Sequence, residues 1–170
     1  MSDASWGGGG AAPLRNASPR NVRLTGAIVG GAAWTVLGIA RWLAPSPAGV
    51  GTHQQLGLAP CTLLTLTGWP CPMCGMTTTF SLMAHGRPIE ALWNQPFGVV
   101  LCGATLALAV VGTVDALFLA AWSDRIRTVL ARHEARVAVV FLAGLGLGWA
   151  WKAAHLHPEV FRAAGLAAGG

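Results

Sequence analysis

Four cysteines and five histidines stand in a chain of 170 residues. Two of the cysteines belong to Cys71-Pro72-Met73-Cys74-Gly75, with Cys61 upstream and Cys102 downstream. Thiols three positions apart at a tight turn have three chemistries open to them. They can chelate a metal, as one knuckle of a tetrahedral site. They can cycle between dithiol and disulfide, with the N-terminus of a following helix favouring the thiolate. Or they can be locked in static disulfides with Cys61 and Cys102. A complete zinc site usually shows two such knuckles, and a thioredoxin-like pair sits in a βαβ pattern that this sequence lacks. The residues alone leave all three chemistries open.

For a metal, the candidate ligands are Cys61, Cys71, Cys74 and Cys102, with His53 or His85 as further donors. Met73, Met76 and Met83 lie in the same segment. Soft sulfur with imidazole suits zinc or cuprous copper. For redox chemistry, Cys71 is the attacking thiol, Cys74 the resolving thiol, and Cys61 with Cys102 a relay pair.

The elements that must hold these residues follow from composition. Apolar residues make up 54% of the chain and charged residues only 10%. Soluble domains carry roughly 25% charged residues. Mean hydropathy is +0.55. A water-soluble globule is excluded on these figures, and so is wholesale disorder. Glycine is abundant at 23 residues, without the three-residue period of collagen. The expected class is all-α and integral to a membrane. Three apolar spans are expected, at residues 24–44, 97–122 and 137–156. Each has the roughly 20 residues needed to cross a hydrocarbon core. The first span exceeds the usual signal-peptide core of about 7–15 residues, so it is read as a retained anchor.

Residues 1–21 are rich in Gly, Ala, Ser and Pro and read as a disordered cytoplasmic tail; residues 22–170 form the multi-pass membrane domain. Residues 61–84 are uncharged, yet Gly68, Pro70, Pro72 and Gly75 interrupt them. Two close prolines remove backbone donors and break a helix. A broken, re-entrant or interfacial element at 61–95 is expected, with short helices from Gly75 to His85 and from Pro88 to Asn94.

Charge sets the orientation. Arg15, Arg20 and Arg23 precede the first span, and Arg125, Arg127, Arg132 and Arg136 fill the connection between the second and third. The long loop between the first two spans has only Arg87. The positive-inside bias therefore puts the N-terminus in the cytoplasm and the cysteine segment on the outer side of the membrane, which for a bacterial chain is the inner membrane. Trp42, Trp93, Trp149 and Trp151 then fall near the outer interface. The net charge of +5 is accounted for by these clusters, and a nucleic-acid partner is not expected. The bilayer is the first partner, with a protein partner or homo-oligomer beside it. Gly26 with Gly30, and Gly144 with Gly148, have the spacing that lets helices approach closely in lipid. Asp115 is expected to be hydrated or paired with Arg125 or Arg127.

The run Cys61, then Thr67-Gly68-Trp69-Pro70-Cys71-Pro72-Met73-Cys74-Gly75-Met76-Thr77, then Gly86, Ala91 and Asn94 before Pro96, resembles a bacterial membrane family. That family is filed as domain of unknown function 2752. Its signature is a C-P-x-C-G-x-T-R element followed by a short amphipathic helix, an Asn-Pro pair and an apolar span. The resemblance covers residues 60 to 110. In this chain Thr78 replaces the family's arginine and Gln95 splits the Asn-Pro pair, leaving Arg87 as a substitute for the missing cation. The resemblance implies a membrane module and no activity. The function expected is a binding or accessory module with a metal- or disulfide-locked turn. A membrane thiol-disulfide oxidoreductase and a transporter subunit are the alternatives.

Overall fold

The computed structural model describes residues 18–163, so the tail assigned to residues 1–21 lies outside the described residues up to position 17. Eight α-helices and no strand occur among the described residues. They are α1 (Pro19–Trp42), α2 (Thr62–Thr67), α3 (Met76–Ala84), α4 (Pro88–Asn94), α5 (Pro96–Phe118), α6 (Trp122–Arg132), α7 (Glu134–Leu156) and α8 (Pro158–Ala163). A 3₁₀ turn covers Thr52–Leu56.

Three of the helices, α1, α5 and α7, are long and apolar enough to cross a membrane. Each begins before the expected span, α5 by a single residue, and α1 starts inside the stretch assigned to the tail. Proline explains two of these starts. Pro19 opens α1 and Pro96 opens α5, at positions where the missing N–H costs nothing and the fixed φ already suits a helix.

Burial is inverted relative to a soluble domain. Val140, Leu142 and Leu147 on α7 are 64–73% exposed, while Thr52, Thr78, Thr79, Ser81, Gln95 and Asp115 are fully or almost fully buried. Polar groups turned inward and large apolar groups turned outward fit a lipid solvent, where backbone and side-chain polar groups must be satisfied within the protein. The chain is an α-helical membrane protein.

α1 and α5 form the principal helix pair. Gly26 and Gly30 lie against the backbone of α5 at Gly112: a Cβ on Gly26 would come 2.8 Å from the Gly112 carbonyl oxygen, and one on Gly30 3.0 Å from its carbonyl carbon. Lipid offers no hydrophobic drive between helices, so close backbone packing carries the association. Gly144 and Gly148 instead make room for the Phe97 ring and Gln95.

Asp115 departs from expectation. It is completely buried, and its two carboxylate oxygens accept from the backbone N–H groups of Trp122 at 2.9 Å and Ser123 at 2.7 Å. It pairs with neither Arg125 nor Arg127. The reason is local: Leu119 and Ala121 take left-handed backbone angles, so the chain doubles back and presents the first turn of α6 to the carboxylate. A carboxylate there satisfies donors that a helix N-terminus leaves open.

Residues 61–95 form the broken helical element. α2 ends at Gly68 in the left-handed conformation, the cysteine turn follows, and α3 and α4 lead to α5. α3 packs against α1, α4 and α5. Its polar face is buried and paired: Thr78 shares a 2.8 Å hydrogen bond with Thr52, and Ser81 donates to the Leu43 carbonyl.

Candidate functional site

Pro70 and Pro72 prevent a helix through the cysteine turn, and Gly75 supplies its sharp exit. Gly75 sits at φ 86° as the residue before α3. Only glycine adopts this region freely. A Cβ there would also lie 2.9 Å from the Gly49 carbonyl oxygen and 3.1 Å from Asn94 Nδ2. The Cys74 N–H donates to the Cys71 carbonyl at 2.9 Å, closing the turn.

The turn brings Cys71 and Cys74 together, and Cys61, the residue before α2, joins them. The three sulfurs all lie within 4.8 Å of one another. Cys71 Sγ stands 3.4 Å from Cys74 Sγ, and the Cys71 N–H donates to Cys74 Sγ at 3.3 Å. Cys74 is buried, while Cys61 and Cys71 are half-buried. The group opens onto a cavity of about 460 Å³ whose wall includes His53, Met73 and Met76.

Two of the thiols are driven in opposite directions. The Leu64 backbone N–H, and then the thiols of Cys74 and Cys71, hold the Cys61 thiol down at about 7. Burial, reinforced by Cys71 and Cys61, pushes the Cys74 thiol up to about 12. The Cys61 sulfur is therefore biased toward the thiolate and the buried Cys74 sulfur toward the thiol. A soft cation entering the group would find one sulfur already biased toward the charged form and would displace protons from the others.

The remaining candidates are distributed as follows. His53 lines the thiol cavity, and its Nε2–H donates to the Ala59 carbonyl at 3.2 Å, which leaves Nδ1 as the free nitrogen. His85 lies elsewhere: its Nδ1–H donates to the Ser81 carbonyl at 2.8 Å, so Nε2 accepts from Arg41 at 3.0 Å. Cys102 is buried on α5 and is not a member of the three-sulfur group. Arg87 forms a bidentate pair with Glu90.

Spacing along the chain did not point to the residues that hold the turn from behind. Asn94 Nδ2 donates to the Gly75 carbonyl at 3.0 Å and to Thr79 Oγ1 at 2.9 Å. Its Oδ1 accepts from Lys152 at 2.6 Å, and Lys152 also donates to the Gly49 carbonyl at 3.0 Å. Gln95, completely buried, donates to the Pro72 carbonyl at 3.3 Å. Trp149 Nε1 donates to the Pro70 carbonyl at 2.7 Å. The turn is thus held at three carbonyls, Pro70 by Trp149 of α7, Pro72 by Gln95 and Gly75 by Asn94, with Lys152 of α7 bracing Asn94. The available signal was Lys152 itself, a charge inside an apolar span, which marks a functional or structural partner by default.

No curated protein and no solved structure matches the chain. Residues 61–111, which hold the thiol turn, α2 to α4 and the first part of α5, match the model of the family described as protein of unknown function (DUF2752).

Proposed function

We propose that the chain is a membrane-embedded module that binds one thiophilic metal ion through Cys61, Cys71 and Cys74. The observation that carries this reading is the convergence of three sulfurs within 4.8 Å. Tetrahedral zinc with Zn–S bonds of about 2.3 Å holds its sulfurs roughly 3.8 Å apart, so the group needs only small side-chain adjustments to close on an ion. Zinc and cuprous copper are the ions that this donor set suits. His53 Nδ1 is the nearest fit for a fourth ligand, because His53 lines the same cavity and its other nitrogen is engaged. Cys102 and His85 have no part in this ligand set. The arginine distribution supports an inner-membrane setting with the N-terminus and α6 in the cytoplasm and the thiol turn on the outer side. In that setting the bound ion would lock the turn of a binding or accessory module.

Cobalt(II) substitution tests the reading. The chelator-treated protein should take up one Co²⁺ and develop a sulfur-to-metal charge-transfer band. That band should weaken in Cys61→Ser, Cys71→Ser and Cys74→Ser and persist in Cys102→Ser. No band in the parent protein, or an unchanged band in Cys71→Ser, overturns it.

A second reading rests on the 3.4 Å approach of Cys71 and Cys74 beside a thiol held at about 7. A Cys71–Cys74 disulfide could be attacked by the Cys61 thiolate. A Cys61–Cys74 bond would form, and Cys71 would leave and take up a proton. Exchange with a partner dithiol, lost in Cys61→Ser, would favour this reading over the metal.

A further inference from the structure

Lys152 carries a charge deep into the fold. The residue is 5% exposed and stands about one turn before the end of α7. An ammonium has three donors. Two of them go to neutral oxygens, the Gly49 carbonyl and Asn94 Oδ1. The ion pairs among the described residues join Arg87 to Glu90, Arg127 to Asp124 and His157 to Glu159, and none includes Lys152. A buried charge without a counter-ion is costly unless something supplies one.

The same side chain lines a cavity of about 390 Å³, together with Pro47, Arg87, Glu90, Asn94 and His155. Glu90 is the carboxylate on that wall, and both of its oxygens are held by Arg87. The pair is neutral overall, and Arg87 keeps further N–H donors beyond the two it gives to Glu90. Lys152 therefore leaves the cavity one positive charge in excess. This space is distinct from the thiol cavity, which neither Lys152 nor Arg87 lines. Its volume falls within the range of small-ligand sites, about 300–1,000 Å³.

Its position narrows the ligand. The Pro45–Pro47 side follows the end of α1, and Lys152 and His155 stand in the last turns of α7, so the cavity lies where two spans end. Trp42 and Trp93 are 74% and 60% exposed at that end. Tryptophan collects at the membrane–water boundary, the depth of lipid phosphates. An ammonium and a guanidinium held at that depth are the groups that pair with a phosphate.

We propose that this cavity is a phosphate-binding site, with Lys152 as the principal donor and Arg87 as the second. The phosphate belongs either to an anionic phospholipid headgroup or to a free phosphate ion. The site stands independently of the metal at the thiol turn.

The test uses the full chain in nonionic detergent after chelator treatment, so a failure of the metal reading does not enter it. Inorganic phosphate and short-chain phosphatidylglycerol are titrated separately at constant ionic strength, with the fluorescence of Trp93 and its neighbours as readout. A response to both assigns the site to phosphate itself, and a response to the lipid alone assigns it to a headgroup. Lys152→Met should weaken whichever ligand binds about tenfold or more. Because that variant also loses two structural hydrogen bonds, His155→Glu is measured beside it. It places a carboxylate three residues from Lys152 on an exposed position of the cavity wall, and it should weaken binding similarly while the fold is kept. No response to either ligand, or binding by folded His155→Glu as tight as by the parent chain, overturns the proposal.

Discussion

Asn94 and Lys152, separated by 58 positions, meet side chain to side chain at 2.6 Å behind the thiol turn. Asn94 uses its amide nitrogen on the Gly75 carbonyl and Thr79 hydroxyl, and its amide oxygen on the ammonium. One residue of α4 thereby ties the exit of the turn, the first turns of α3 and the end of α7 together. Asn94→Leu removes all three bonds and leaves the buried ammonium with the Gly49 carbonyl as its remaining partner. We expect a loss of about 3 kcal/mol, read as a lower unfolding temperature in detergent at a fixed scan rate. An unchanged temperature would show that Asn94 does not hold the turn, the start of α3 and the end of α7 together.

Asp115 makes a separable prediction. Asp115→Ala leaves the Trp122 and Ser123 N–H groups without their carboxylate and should fray the start of α6. Trypsin should then cut at Arg125 and Arg127 several times faster, while α1 and α5 stay protected. Equal cleavage rates would show that the carboxylate does not hold α6.

The α1–α5 contact depends on glycine at Gly112, where a Cβ would meet the backbone of Gly30 and the Gly26 carbonyl. Gly112→Val should force the helices apart and lower stability by about 2 kcal/mol or more. Gly103→Val, on the same helix at a position where a Cβ would meet only open space, serves as the control and should be close to neutral.

The thiols give a pH dependence in the metal-free protein. Cys61 is lowered to about 7, so alkylation there should rise with a midpoint near that pH, while Cys74, raised to about 12, should resist across the neutral range. The linkage signs are opposite. The lowered Cys61 thiol contributes stability that is complete above its unfolded value and is lost as pH falls through about 7. The raised Cys74 thiol contributes stability that is present below its unfolded value and is lost as pH rises through about 12. Mass spectrometry of alkylated peptides at a series of pH values checks both directions. Faster alkylation of Cys74 than of Cys61 at pH 7 would contradict the arrangement.

The legible parts of the fold were those with a local cause. Pro88 and Pro96 mark the starts of α4 and α5, and the glycines and prolines around the turn mark the break between α2 and α3. The cysteine turn could be found from spacing because its members are neighbours in the chain. The convergence of Cys61 needed the fold, since nothing in α2 states where that helix points. Lys152 was legible as a charge inside an apolar span, but its partner was not: Asn94 reads locally as an ordinary helix-end residue, and only the fold brings the two side chains together. Asp115 looked like a partner for the arginines because they are the nearest cations in sequence. Two left-handed residues, Leu119 and Ala121, instead bring backbone donors to it, and neither residue type announces that conformation.

The most direct test of a three-thiolate metal site is native mass spectrometry of the full chain, purified in mild detergent without reductant or chelator. Such a site predicts one bound ion with the mass of zinc or copper, absent from Cys71→Ser and Cys74→Ser and retained in Cys102→Ser. A metal-free protein whose mass is lower by the hydrogens of a disulfide, or an ion that stays bound in both turn variants, would contradict it.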